Sequence, residues 1–357
     1  MNEQHWFRKH WKLVLNVVTI VALAVLIFAI RGELASTFSN LGKVNAWALL
    51  LIIPIEALNY HAQAKLYQHL FGMVGNKLSY KFLYRAALEL NFVNHVFPSG
   101  GVTGLSFFSL RMRGEKLTAS KATLIHVIKL VLTFVSFEVL ILFGLLSLSA
   151  MGRVSNLTIL VAAVISTLLI VGTALFAYIV GSRRRINDFF TAMTRGLNRL
   201  IHVVRPRYPE TINIDRARGA FDEFHDNYQV IKKDIRRLKA PFWYALLANV
   251  TEVMAVYVVY IAFDEYVNIG AVILAYAVAN FAGLVSVLPG GVGIYEALMT
   301  AVLISAGVPA AVSIPVTIMY RVLNTLVQVP IGFYFYQKTL HQNGNPEAAS
   351  SETPHGT

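Results

Sequence analysis

Two short stretches interrupt apolar sequence: Phe97-Pro98-Ser99-Gly100-Gly101-Val102-Thr103-Gly104, and Leu288-Pro289-Gly290-Gly291-Val292-Gly293 with Glu296 three residues beyond. Proline removes a backbone donor and disfavours helix before it, and glycine permits a sharp reversal and the close approach of another group. A helix that restarts after such a break presents free N–H groups and the positive end of its dipole, which suit a phosphate or a carboxylate. Ionisable side chains inside apolar sequence add charge to these ends and are functional candidates by default. Lys129 and Arg321 are placed to neutralise a phosphate. Glu296, at the start of a half-helix, is placed to receive a cationic head group or to exchange a proton. Glu252 and Asn324 line the same polar groove. The candidate substrate-binding residues are therefore Pro98, Gly100, Gly101, Lys129, Glu252, Pro289, Gly290, Gly291, Gly293, Glu296, Arg321 and Asn324.

Blander roles exist for each. A Pro-Gly break can be a kink that only packs helices, and Glu252 with Arg321 can be an ion pair that holds two helices together. Arg321, Asn324 and Gln328 share one helical face, as do Glu56, Asn59, Tyr60 and Gln63. Glu89 has Arg85 one turn away as a partner, Glu138 lies on an otherwise apolar stretch, and neither His95 nor His126 shows metal-ligand spacing. No nucleotide-binding loop, zinc-protease motif or nucleophile elbow is present, so no cofactor or catalytic group is expected, and movement of a substrate would be downhill or coupled to an ion gradient.

The elements that must position these residues are membrane helices. Of 357 residues 56% are hydrophobic and only 14% charged, too little polar surface for a soluble globule of this size. Apolar stretches at Leu13–Ile30, Trp47–Tyr60, Ala122–Leu148, Leu157–Val180, Pro241–Phe263 and Ile314–Tyr336 approach or exceed the roughly 20 residues that cross a bilayer as helix, Trp47–Tyr60 being the short one. The first lacks a clear cleavage site and reads as an uncleaved anchor. The chain has no cysteine, which excludes disulfides and thiolate chemistry.

Basic residues orient the spans. With both termini cytoplasmic, every Lys and Arg falls on the inner side except Arg31, Lys43, Arg153 and the two intramembrane residues Lys129 and Arg321. The net charge of +12 then reads as topology plus attraction to anionic lipid heads, and nucleic acid is not an expected partner. On this topology residues 82–110 enter and return from inside, and 269–308 from outside. Each broken segment is preceded by a span carrying a glutamate (Glu56, Glu252) and followed by one carrying a cation, 28 positions beyond Gly101 at Lys129 and 30 beyond Gly291 at Arg321. Matching breaks in opposite orientation are the pattern of an inverted-topology repeat, and two copies favour a site over a kink.

The expected fold is an all-α polytopic integral membrane protein with about six full spans plus two broken re-entrant helix pairs in an inverted repeat. Its parts are an anchor and outer loop (1–43), a first membrane half (44–180), a basic amphipathic cytoplasmic segment (181–240), a second membrane half (241–336) and a disordered cytoplasmic tail (337–357). Two apolar faces in 181–240, one of them through Phe221, Phe224, Tyr228 and Ile231, suggest helices lying in the interface as a tether between the halves.

The Pro-Ser-Gly-Gly-Val-x-Gly pattern, the Leu-Pro-Gly-Gly-Val-Gly-x-x-Glu pattern and Tyr320-Arg321 together resemble the flippase-like transmembrane family. Its members include the membrane halves of lysylphosphatidylglycerol synthetases, the multiple peptide resistance factors. The resemblance runs from about Val44 to Tyr336 and implies that Pro98, Gly100, Gly101 and Gly104, and Gly290, Gly291, Gly293, Glu296 and Arg321, are the family's motif positions. It departs after the early glycines, where the chain reaches Arg111 without an acid, and no aminoacyl-transfer domain is expected. The function it implies is movement of a phospholipid, possibly aminoacylated, or a polyprenyl-phosphate-linked lipid between leaflets. The alternatives are a membrane-embedded partner or regulator of a cell-envelope lipid or glycan synthase, and a lipid-modifying enzyme. The expected partners are membrane lipids with anionic or aminoacylated head groups.

Overall fold

A computed structural model describes residues 3–97, 102–150, 152, 155–189, 191, 192, 195, 214–285 and 291–342, and every regular element among them is helical. In chain order these are α1 (Glu3–Ala29), α2 (Arg31–Leu41), α3 (Ala46–Leu49), α4 (Ile52–Met73), α5 (Tyr80–Val96), α6 (Val102–Arg113), α7 (Ala119–Ala150) and α8 (Asn156–Val180). They continue as α9 (Ile214–Lys233), a 3-10 turn (Ile235–Leu238), α10 (Lys239–Ala262), α11 (Ile269–Val285), α12 (Ile294–Ser305) and α13 (Ala310–Gln342).

Four of the described helical stretches are long and apolar enough to cross a bilayer: Ala119–Ala150, Asn156–Val180, Ile235–Ala262 and Ala310–His341. Asn16–Ala29 and Arg31–Leu41 make a fifth if they count as one span, bent by 57°. The protein is therefore a multi-pass membrane protein. The expected span at Trp47–Tyr60 is displaced: Trp47 lies in the short α3, and the continuous helix is α4, from Ile52 to Met73. His61, Gln63 and Lys65 end the apolar run at Tyr60, but the helix continues past them and buries Ala62, Ala64, Leu66 and Tyr67 inside the bundle.

The two broken segments have matching anatomy. Each consists of a 17-residue helix followed by a 12-residue helix, α5 with α6 and α11 with α12. Their neighbours match as well. α5 packs on α13 while α11 packs on α7, α6 packs on α7 while α12 packs on α13, and α4 lies along α10 at the centre. Both long crossings depend on absent side chains. A β-carbon on Gly332 of α13 would sit 2.5 Å from the Phe92 Cβ and 2.7 Å from the Leu88 carbonyl oxygen of α5. On the other side Gly270 of α11 meets the carbonyl oxygen of Gly144 on α7. Close backbone approach of this kind drives helix association in lipid, where the solvent is as apolar as the core. By contrast α8 turns Leu160, Leu168, Val171 and Leu175 outward, as a lipid-facing helix does.

The segment 181–240 does more than tether. Phe224 and Ile231 of α9 and Ile186 of the helical stretch 183–189 are buried in a core shared with α4 to α7. Polar contacts fasten it. Ser120 donates to the Ala220 carbonyl (2.6 Å), Thr118 to Glu223 (2.6 Å), and His225 Nδ1 meets the Val180 carbonyl (2.9 Å). Protein thus covers Phe224 and Ile231 of the second apolar face, whereas most of the first, over residues 190–204, lies outside the described residues. The expected tail begins late, because α13 continues through Gln337 to Gln342; residues 343–357 lie outside the described set.

If the glycine crossings set helix spacing, Gly332→Leu should lower stability by about 1–3 kcal/mol, the usual cost of overpacking. Gly172→Leu on α8, where a β-carbon would meet nothing within 4 Å, should leave it unchanged. Thermal unfolding of the two purified variants checks this, and equal melting temperatures would refute it.

Candidate functional site

The start of α12 organises the second break. Gly291 and Gly293 have φ of +70° and +87°, a region that side-chain-bearing residues rarely occupy, so the chain reverses there only because both are glycine. The Gly293 N–H donates to Glu296 Oε2 (2.6 Å), and Glu296 Oε1 accepts from Arg321 Nε (2.7 Å). The side chains of Arg321 and Glu296 are 11% and 12% exposed, and the guanidinium also lies 4.3 Å from the centre of the Tyr295 ring. One carboxylate thus closes the helix start and ties it to α13. The ion partner of Arg321 is accordingly Glu296 and not Glu252, which corrects the pair expected from the sequence. A narrow crevice beside the pair is lined by Leu26, Ile30, Glu33, His95, Val292 and Arg321.

Glu252 belongs instead to a chain of buried polar groups. Tyr320 OH donates to Glu252 Oε2 (2.9 Å), and Asn324 Nδ2 donates to Tyr320 OH (3.2 Å). Gln328 Nε2 donates both to Asn324 Oδ1 (2.5 Å) and to Glu56 Oε2 (2.8 Å). Asn91 Nδ2 donates to Gln328 Oε1 and to Tyr60 OH, each at 2.5 Å. The chain links α4, α5, α10 and α13. Lys129 of α7 and Arg321 both lie within electrostatic reach of Glu252.

Lys129, Glu252, Arg321 and Asn324 are thereby brought together around one carboxyl, and Gly291, Gly293 and Glu296 stand beside Arg321. Pro98, Gly100, Gly101, Pro289 and Gly290 lie outside the described residues. Other sequence expectations are redirected. Glu89 pairs with Arg111 (2.9 Å) rather than Arg85 and accepts from Thr339 (2.8 Å), so it fastens α5 to α6 and α13. Gly104 lies against the Asn94 side chain, consistent with a small residue where α6 meets α5. His126 bonds Tyr67 OH (2.8 Å). Glu33, Tyr295 and the bond from Gln328 to Glu56 went unpredicted. Glu33 lies in an outer-loop sequence with no motif, while the bond joins residues 272 positions apart.

A larger cavity of about 620 Å³ lies elsewhere, between the end of α4 and the start of α10, lined by residues that include His69, Arg236, Lys239 and Trp243. It is a surface recess at the ends of the same two helices that carry Glu56 and Glu252 further along, and none of its lining residues belongs to the buried polar chain. Chemistry, rather than volume, identifies the central site.

A buried charge left without its partner costs about 3–5 kcal/mol. Arg321→Met alone should therefore destabilise the protein by that order, and Glu296→Gln added to it should recover most of the loss, because glutamine is neutral and its carbonyl still accepts from Gly293. Glu252→Gln added to Arg321→Met should recover less. A double-mutant cycle on thermal unfolding in detergent reads both, and equal recovery by the two second substitutions would contradict the pairing.

Residues 14–332 match the family described as Lysylphosphatidylglycerol synthase TM region. Among similar proteins, a UPF0104 membrane protein of Methanothermobacter thermautotrophicus is 23% identical over 321 residues, covering 88% of this chain and 92% of the relative. A UPF0104 membrane protein of Pyrococcus horikoshii is 23% identical over 118 residues, 33% of this chain and 35% of the relative. A further match to a Methanothermobacter thermautotrophicus UPF0104 protein is 30% identical over 94 residues, 26% of this chain and 28% of the relative.

Proposed function

Because the chain belongs to the family of the lysylphosphatidylglycerol synthase TM region, we propose that it is a lipid translocator that passes a phosphate-bearing lipid between leaflets. The lipid is a phospholipid, with or without an aminoacyl group, or a polyprenyl-phosphate-linked lipid. The observation that carries this reading is that Lys129 from α7 and Arg321 from α13 both lie within electrostatic reach of one half-buried carboxyl, Glu252. Two cations inside a helical bundle, one paired with Glu296 and both near Glu252, form a site whose charges a lipid phosphate can engage. The Gly293 break beside Arg321 adds the start of a helix to the same region. A planar guanidinium also suits a phosphate better than an ammonium does.

The same reading makes the protein an inverted repeat, α4 to α7 and α10 to α13, with both termini cytoplasmic. Its support is the matched helix lengths and the exchanged neighbours of the two broken pairs. Such repeats place substrate at the interface of their halves, and α4 against α10 is that interface. In this cysteine-free chain, Ser99→Cys and Ser286→Cys should be labelled by membrane-impermeant thiol reagents from opposite faces. Labelling of both from one face would end the inverted-repeat reading.

Transport is tested in proteoliposomes with a leaflet-resolved assay against a panel of head groups, scored per folded protein. Lys129→Met should lose most transport of anionic phospholipid, and Arg321→Lys should retain part of it. Folded wild-type protein that moves no lipid in the panel would favour the role of a partner or regulator of an envelope synthase. Full transport by a folded Lys129→Met variant would remove the phosphate site.

A further inference from the structure

The two ends of the buried polar chain are unequal. Glu252 accepts a hydrogen bond from Tyr320, whose hydroxyl accepts in turn from Asn324, and has Lys129 and Arg321 within electrostatic reach. Glu56 is 2% exposed, receives one bond at Oε2 from Gln328, and its Oε1 is buried without a hydrogen-bond partner. No ion pair involves Glu56 among the described residues, and the neighbouring charge that it does feel is that of Glu252.

The amides between them offer no relief. Both N–H bonds of Gln328 are committed, to Glu56 and Asn324, and both of Asn91, to Gln328 and Tyr60. No donor of these side chains remains for Oε1. An ionised carboxyl that is dry, half-bonded and beside another carboxylate is unfavourable, and a proton removes the charge that burial and the neighbouring carboxylate penalise. The groups facing Glu56 do not change this balance. Tyr84 from α5, Tyr276 from α11, Tyr320 from α13 and Tyr60 of its own helix are neutral phenols at ordinary pH. From α7 comes Lys129, and Arg321 stands beyond Tyr320, both felt by Glu252.

We infer that Glu56 and Glu252 hold one exchangeable proton between them, resident on Glu56 while Lys129 and Arg321 keep Glu252 ionised, and that an anion bound to those two cations draws a second proton onto Glu252. The proton comes from the aqueous phase, and the bond that forms is O–H on a Glu252 carboxylate oxygen. A phosphate that engages Lys129 and Arg321 withdraws their stabilisation of the Glu252 carboxylate. Linkage then requires the converse, that proton binding favours phosphate binding. The lipid-phosphate site would thus be proton-coupled. The coupling rests on the phosphate-site reading above, whereas the shared proton does not.

Two measurements on the full-length protein separate these. The first is infrared difference spectroscopy of the carboxylic-acid carbonyl band across a pH titration in nanodiscs. A component present in wild type at neutral pH should be missing in Glu56→Gln. In Glu252→Gln it should titrate at lower pH, since a neighbouring negative charge has gone. In Glu115→Gln, an exposed control, it should be unchanged. A component that survives Glu56→Gln, or whose titration ignores Glu252→Gln, overturns the shared proton. Glutamine keeps the shape and an acceptor, and melting temperature identifies any variant that fails to fold. If the Glu56 variant misfolds, the shift in Glu252→Gln decides alone.

The second measurement adds dioctanoyl-phosphatidylglycerol to detergent-solubilised protein in weak buffer and follows lipid binding and pH together. Inorganic phosphate is the second probe, to distinguish a lipid from a free anion. Binding of the lipid with alkalinisation in wild type, abolished in Glu252→Gln, is the expected result. Binding without proton uptake overturns the coupling and leaves the phosphate site standing. Absence of binding by either probe overturns the phosphate site and the coupling together, while the infrared result stands by itself.

Discussion

A helix that restarts after a sharp reversal leaves backbone N–H groups without intrahelical acceptors, and α12 has such a start at Gly293. The solution is local and then relayed. Glu296 reaches back to the Gly293 N–H with one oxygen and presents the other to Arg321 on α13. Neither half would stand alone. A carboxylate that is 12% exposed needs a cation, and the cation needs a carboxylate, so satisfying one amide fixes the position of a long helix. The unusual backbone at Gly291 and Gly293 therefore holds because α13 supplies the counter-charge. The first break is fastened by different means, through Glu89 to Arg111 and Thr339, which also reaches α13. One helix thus anchors both broken pairs.

The centre of the bundle repeats that logic with weaker groups. Tyr320, Asn324 and Gln328 form one polar edge of α13, and each passes a hydrogen bond towards a carboxyl on a different helix, Glu252 on α10 or Glu56 on α4. An apolar core of the same shape would be no less stable, since buried polar groups at best offset the cost of their own desolvation. Directional bonding contributes register: α4, α10 and α13 cannot slide by a turn without stranding several of these groups. A rigid scaffold with an unevenly satisfied carboxyl at each end is the setting in which a single charge can shift.

Much of this was legible in the sequence, for identifiable reasons. The breaks were readable because only proline and glycine runs interrupt apolar helix, and Lys129, Glu252 and Arg321 because charges in apolar sequence are rare. What resisted reading was partnership and cover. Arg321 has acids at 252 and 296 on either side of a break, and only the reversal at Gly293 brings the second within 2.7 Å. Glu89 likewise had Arg85 on its own helix, yet the chain turns after Val96 and returns Arg111 to it. The far bound of α4 was missed because His61, Gln63 and Lys65 break the apolar run, although Ala62, Ala64 and Leu66 between them are buried. The face of α9 through Phe224 and Ile231 reads alike whether lipid or protein covers it, and here protein covers it.

Arg321 is where the two arrangements meet. It is bonded to Glu296, which closes the start of α12, and it is felt by Glu252, which ends the polar chain. Any anion that draws on this guanidinium must share it with the carboxylate that secures the break. Occupancy of the proposed phosphate site would therefore loosen the helix start as it discharges the cation, and two consequences that look separate, movement of α12 and proton binding at the far end of the chain, would follow from one change in the partners of a single side chain. Lys129 differs in this respect. It lies within electrostatic reach of Glu252 without holding a helix start, so it can supply charge to a ligand while the fold around it stays as it is.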